Sequence, residues 1–244
     1  MKDREKDPFT AEDLPVIFRD RHLLVVNKPS GLAVHRGEAR DPLFALTLAR
    51  QLAGRLVHPP HRLDRATSGL LIFTFEKEIL AAMQQKLESG DVEKVYWALV
   101  RGISPDEGTI DHPIPRQEGG EKVAARTDFR RLAVFERYSL VEARPRTGRR
   151  HQIRKHLKHI GHPLIGDTRY GKGEHNRYLR DRAGLHRLAL HAVHLAFSHP
   201  ASGERIALVA PPPADLRAPL ESLGFAVEAL LGDYEVTTER GGEP

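Results

Sequence analysis

The chain has 244 residues, 40% of them hydrophobic, which is enough for a sizeable globular core in one large domain or two small ones. Lys and Arg number 38 against 33 Asp and Glu, and the resulting +5 charge and pI near 9.5 are compatible with an anionic partner without establishing one. The absence of cysteine excludes disulfides, zinc ribbons and thiol catalysis; the amino terminus "MKDREKDPFTAEDLP" is charged, and no apolar run approaches the roughly eighteen residues of a membrane span. A soluble cytoplasmic protein without membrane contact is the expectation.

In chain order, residues 1–13 read as a charged tail. "HLLVVNKPSGLAVH" then reads as strand, turn, strand, and "LFALTLARQLA" as a helix. "HRLDRATSG" at 61–69 places Asp64 between Arg62 and Arg65 in a stretch that ends like a turn. "GLLIFTF" follows with the β-branched and aromatic content of a buried strand, so Asp64 falls in the loop feeding that strand. Taken alone, an aspartate between two arginines is a common surface salt bridge. In "EKEILAAMQQKLESG", Ile79, Met83 and Leu87 recur every four residues on one helical face, and Gly90 is a stop.

Two further strands are expected at 94–102, "KVYWALVRG", and at 137–145, "RYSLVEARP", with a polar hairpin or flexible loop between them in "IPRQEGGEKVAARTDF". "RTGRRHQIRKHLKHIGHPLIGD" opens with a Thr-Gly turn and predicts a helix from about His151 to Ile160. From Arg146 to His159 the chain carries Arg146, Arg149, Arg150, Arg154, Lys155 and Lys158 with no acidic residue. It is either a solvated basic face or a phosphate site aided by the N–H groups of a helix start. On a helix, neighbours 154 and 155 point about 100° apart, so one can turn inward and the other outward. From Gly232 onward the periodicity stops and a loose tail, 232–244, is expected. Strands and helices do not alternate regularly, which favours an α+β domain over a doubly wound one.

Fourteen histidines raise a metal reading, chiefly "HPPH" at 58–61 and "HAVH" at 191–194, but no HExxH pattern or Cys ligand supports it, and no metal is expected. "HRLD" also looks like a protein-kinase loop, yet the order differs, residue 69 is Gly where Asn is required, and no DFG is present.

Six segments in one order, "NKPSGLAVH", "HRLDRATSGLLIF", "EKVYWALVRG", "RTGRRHQIRKHL", "GHPLIGDTRYG" and "RLALHA", resemble the pseudouridine synthases of the RluA type. The resemblance spans about residues 16–225 and implies a single catalytic domain, placed at 14–231, with a mixed, largely antiparallel sheet and a basic cleft. No amino-terminal S4-type RNA-binding domain is read. It implies isomerisation of a uridine in RNA without a cofactor. Asp64 is then the essential carboxylate, Tyr96 the ring stacked on uracil, and Arg154 the cation paired with Asp64. Breaking a glycosidic bond builds positive charge on the sugar, which a carboxylate can answer by attack, by ion pairing or by removing a proton. A uridine in folded RNA must leave its stack first, and Arg62 is the expected filler of the gap or holder of the backbone. Arg149, Arg150 and Lys155 are the expected phosphate contacts, and Arg65 is a further expected substrate-binding residue. The short stretch "GKGEHNRYLRDRAGLHRLALHA" is most similar to the TruC-type transfer-RNA enzymes, so the expected partner is tRNA and the expected state a monomer. Ribosomal RNA is the alternative substrate, and a catalytically silent RNA-binding module the alternative of another class.

Overall fold

The computed structural model describes residues 9–36, 43–117 and 119–237. Its framework is a twisted sheet of nine strands: β1 (Val16–Arg19), β2 (Leu23–Lys28), β3 (Ser68–Thr74), β4 (Glu93–Arg101), β5 (Glu107–Asp111), β8 (Arg126–Phe135), β9 (Tyr138–Pro145), β10 (Leu190–Ser198) and β11 (Arg205–Val209). The order is β1-β2-β3-β10-β4-β9-β8-β5, with β11 paired to β10. β3 and β10 pair in parallel, and the other pairings of this sheet are antiparallel. Two short strands, β6 (Ile114–Pro115) and β7 (Lys122–Val123), form a separate ribbon. The helices are α1 (Ala45–Ala53), α2 (Lys77–Ser89), α3 (Gln152–His159), α4 (Gly173–Ala183), α5 (Ala214–Ser222) and α6 (Val227–Leu231). The α+β expectation agrees with this arrangement.

Why the middle of the sheet is so apolar follows from its coverage. β3 is buried at every position and β10 at all but its last, because helices and loops lie against both faces. α2 seals one region with Met83, fully buried, while Ile79 and Leu87 pack beside it on the face the four-residue spacing indicated. The parallel join of β3 to β10 depends on one glycine. A Cβ at Gly69 would lie 2.2 Å from the Ala192 carbonyl oxygen, and its φ of +115° is closed to most other residues. The "TSG" ending of "HRLDRATSG" is therefore a close-approach device that admits the loop before it to the centre of the sheet.

Three sequence expectations need correction. After the Pro-Ser-Gly turn no second strand forms; Leu32 and Val34 are buried in the core, and Ala33 makes only an isolated bridge to Phe44. The segment expected as hairpin or loop contains the small β6–β7 ribbon but also the start of ten-residue β8, whose outward arginines mask a half-buried strand. Residues 232–237 are not loose. Tyr234 Oη accepts from Trp97 Nε1 at 2.8 Å and donates to Glu142 at 2.6 Å, and Thr237 bonds Ala207 through both main chain and hydroxyl. Residues 238–244 lie outside the described residues. So do residues 1–8 of the amino-terminal tail, whose remainder carries Phe9 against the core and a short 3-10 helix at Ala11–Asp13.

Candidate active site

Asp64 sits on a loop that the chain fastens from outside. Lys28, at the end of β2, is fully buried and donates Nζ to the carbonyls of Pro29 and Leu32 at 2.8 Å and of Arg65 at 3.3 Å. Ser30 Oγ donates to Ala66 O, Gly31 N donates to Arg65 O, and Arg65 Nε returns a bond to Gly31 O at 2.9 Å. The "NKPSG" turn thus holds residues 65 and 66 from beneath. Burial, Lys28's largest influence, lowers its pKa to about 7, with Arg187 adding to the fall and Asp64 opposing it. Three carbonyl acceptors match the three N–H donors of the ammonium form.

The Asp64 side chain remains 21% exposed at the mouth of this loop. Arg154 reaches it from α3, Nη1 to Oδ2 at 3.4 Å, but the closer bonds of the guanidinium go elsewhere: Nε and Nη2 grip Asp167 at 2.8 and 2.9 Å. Asp167 Oδ1 also accepts the main-chain N–H of Arg169 and Tyr170. Burial alone would push the Asp167 carboxyl up; Arg154 and those N–H donors outweigh it and hold the group below its ordinary range. Arg154, opposed by burial, is held in its charged form by the same Asp167 and by Asp64. Its guanidinium also lies 5.0 Å from the ring centre of Tyr170.

Tyr96 arrives from β4, in register with Ala143 of β9 and Ala192 of β10. It packs at the junction of two core clusters. Burial and the Asp64 carboxylate both push its hydroxyl pKa upward, so the phenol keeps its proton. The structure therefore brings Asp64, Tyr96 and Arg154 into one neighbourhood.

The other predicted residues divide. Arg62 is exposed and makes no side-chain hydrogen bond or ion pair among the described residues. Arg65 is exposed but carries the structural bond to Gly31. Arg149 and Arg150 are exposed on the turn before α3, where Arg149 Nε donates to Ala124 O. Lys155 is half-buried rather than fully outward. The helix start is also less open than expected, since Arg149 N already donates to Gln152 Oε1 at 3.0 Å.

Sequence reasoning passed over His151, Asp167 and Tyr170. All three lie inside quoted motifs, but a lone Asp in "GDTRYG" carries no sign that it meets an arginine thirteen residues away. His151 Nε2 is 3.7 Å from Asp64 Oδ2, and its Nδ1 is 3.0 Å from Tyr170 Oη. Two of the four histidines of the metal reading are held by hydrogen bonds of their rings, while buried His194 stacks on Tyr234. His61 Nε2 accepts from Ile72 N, and His191 bonds Ser68 and Ala210. Among the described residues no cluster of three or more His, Cys, Asp or Glu could hold a metal ion. Beside the turn that holds the Asp64 loop an open cleft of about 570 Å³ is lined by residues including Ser30, Gly31, His186, Arg187, Asp215 and Pro219.

Residues 22–159 match the RNA pseudouridylate synthase family. A tRNA pseudouridine synthase C of Haemophilus ducreyi is 39% identical, with 81% of this chain and 90% of that protein covered. A protein of the same name from Pectobacterium carotovorum is 36% identical over 91% of this chain, which spans 65% of that relative's length. Among solved structures, Human RNA Pseudouridylate Synthase Domain Containing 4 superposes with a TM-score of 0.73 at 28% identity, covering 88% of this chain and 95% of that one. On the family match over residues 22–159, the relative 39% identical over most of both chains and the shared fold, the chain belongs to the RNA pseudouridylate synthase family, whose members are isomerases.

Proposed function

We propose that this chain isomerises one uridine of a transfer RNA to pseudouridine, working as a monomer in the cytoplasm. The observation that carries the reading is the setting of Asp64: a partly exposed carboxylate, held beside a buried Arg154–Asp167 pair and near enough to the half-buried Tyr96 for its charge to help keep that phenol protonated. In the reaction the bond from ribose C1′ to uracil N1 breaks, the base turns, and C1′ bonds to C5. C5 then loses a proton and N1 gains one, so no redox partner is needed. Asp64 answers the charge that develops as the first bond breaks, Arg154 fixes its orientation, and the Tyr96 ring keeps the detached uracil stacked for recombination.

Arg62, Arg149 and Arg150 extend from the loops around this carboxylate and are the residues we assign to the RNA backbone and to the space left by the extruded nucleotide. Lys155 adds charge from its half-buried position. The transfer-RNA assignment rests on the relatives named tRNA pseudouridine synthase C. The large apolar side chains left exposed among the described residues, Val16, Leu56, Ile103, Val134 and Val236, lie on separate segments, which supports a monomer. No helix among the described residues is long and apolar enough to cross a membrane.

The test is chemical mapping of pseudouridine in total RNA from cells with and without the gene. Loss of signal at a single tRNA uridine is expected. Loss confined to ribosomal RNA would replace the substrate, and unchanged RNA would remove the activity.

A further inference from the structure

Two non-glycine residues among those described have positive φ: Glu136 at +50° and His151 at +56°. Glu136 lies in the two-residue turn between β8 and β9, where tight hairpins demand that conformation. His151 has no such reason. It precedes α3, where a capping residue ordinarily takes the extended region, and it makes no side-chain cap. Strained backbone of this kind persists where surrounding structure imposes it, and it gathers at functional sites.

The strain places the imidazole between Tyr170 and Asp64, with Nδ1 3.0 Å from Tyr170 Oη and Nε2 3.7 Å from Asp64 Oδ2. Burial is the main influence on the ring and lowers its pKa to about 4. Arg154, Arg150 and Lys155 push the same way, and Asp64 opposes them. The ring is therefore neutral near pH 7 and has one N–H to place. A carboxylate can only accept, so the hydrogen belongs on Nε2, leaving Nδ1 to accept from the Tyr170 hydroxyl. Tyr170 is itself anchored, since its main-chain N–H donates to Asp167, the residue that also grips Arg154. Asp64 is thus approached by two donors, Arg154 Nη1 and His151 Nε2, both referred back to one buried aspartate.

We infer that His151 is a positioning residue for the isomerisation: held by Tyr170 in a left-handed backbone, it directs Nε2–H at Asp64 and completes the orientation of that carboxylate. The inference rests on reading Asp64 as the reacting group. A neutral donor suits the task. Arg154 already supplies the charge, and a second cation would bind the carboxylate more tightly without adding direction. The gap of 3.7 Å lies just outside hydrogen-bond range, and catalytic contacts often tighten only when substrate binds.

His151→Gly removes the ring while making the left-handed backbone easy, so it separates orientation from folding. The variant is expected to keep or raise its thermal midpoint and to hold tRNA within about threefold of wild type, because phosphate contacts dominate affinity. Its single-turnover rate at saturating tRNA should fall about 100-fold, the scale of a misplaced reacting group. His151→Asn tolerates the same backbone and offers an amide N–H, and it should recover part of the rate. Tyr170→Phe should lower the rate less than His151→Gly. A His151→Gly rate within about threefold of wild type, a loss confined to affinity, or a lowered midpoint with rate restored on cooling would each overturn the inference. The ring also reports without any substrate. Nitrogen-15 NMR of the full chain should show the Nε2–H form, uncharged between about pH 5 and 8, where a free histidine would titrate; an Nδ1–H form or a ring that charges there would overturn it. If wild type proves inactive on tRNA, the proposed substrate fails while this spectrum still judges His151.

Discussion

Arg154 holds Asp167 more closely than it holds Asp64: two bonds of 2.8 and 2.9 Å go to the first and one of 3.4 Å to the second. Asp167 is almost completely buried, and a buried carboxylate must keep its partner. The bidentate grip fixes the plane of the guanidinium and leaves Nη1 pointing at the more exposed Asp64. Removing one member of such a pair costs about 3–5 kcal/mol, because the other is left charged and desolvated. Asp167→Ala should therefore lower stability by an amount of that order in chemical denaturation, and Asp167→Asn by less. An unchanged denaturation midpoint for the alanine variant would show that Arg154 does not depend on it.

Asp64→Asn keeps the shape and removes the charge. Its tRNA affinity should stay near that of wild type while the single-turnover rate falls by about 100-fold or more. A variant that retained substantial turnover would take the reacting role away from Asp64.

For Tyr96→Phe, turnover should suffer more than affinity, since one hydroxyl contributes little to an interface dominated by phosphates. Because burial and Asp64 push the phenol's pKa upward, the wild-type rate should show no step from Tyr96 ionisation between about pH 7 and 10. Parallel loss of affinity and rate in the variant would make Tyr96 a binding residue.

The exposed and buried cations should separate in salt titrations. Arg150→Ala is expected to weaken tRNA binding and reduce the slope of log affinity against log salt by roughly one unit. Arg154→Lys should leave the slope nearly unchanged and lower the rate, since a lysine cannot hold Asp167 with two parallel bonds and reach Asp64 as well. Equal slope changes with unimpaired saturated rates would make both residues phosphate contacts.

Acid stability should depend on buried histidine. His191 is fully buried, bonded to Ser68 and to the Ala210 carbonyl, and burial lowers its pKa to about 3. The unfolded chain, with a histidine pKa of about 6.5, binds the proton first, so stability is complete above that pH and declines as pH falls from about 6.5 toward 3. Urea midpoints measured from pH 8 downward should fall across this window. His191→Gln should lower the midpoint at neutral pH and flatten the decline; an unaltered slope would assign the acid sensitivity to other groups.

Much of the fold was legible because local pattern and burial coincide. β3 and β4 are read from their β-branched and aromatic runs, which suit strands buried along most of their length, and α2 from Ile79, Met83 and Leu87, since one face of that helix must leave water. β8 was not legible, because a strand near the sheet edge carrying Arg126 and Arg130 outward and Arg131 half-buried has too few buried positions to show a period. Tyr234 was hidden for a different reason: its anchors, Trp97 and Glu142, are 137 and 92 residues away, and no local composition signals such a contact.

The site divides in the same way. By itself the sequence determined Asp64, Tyr96 and Arg154 as residue types in recognisable motifs, and the turn chemistry that puts Asp64 on a loop. Tertiary structure alone decided that Arg154 is oriented chiefly by Asp167, that Lys28 holds the Asp64 loop through the Arg65 carbonyl, and that His151 is bent into a left-handed backbone beside Asp64. Local patterns report periodicity and turns, which depend on neighbours in the chain. The orientation of a charged side chain depends on which partner remains within about 3 Å once water has been excluded, and that partner is selected by how the strands and helices close around it.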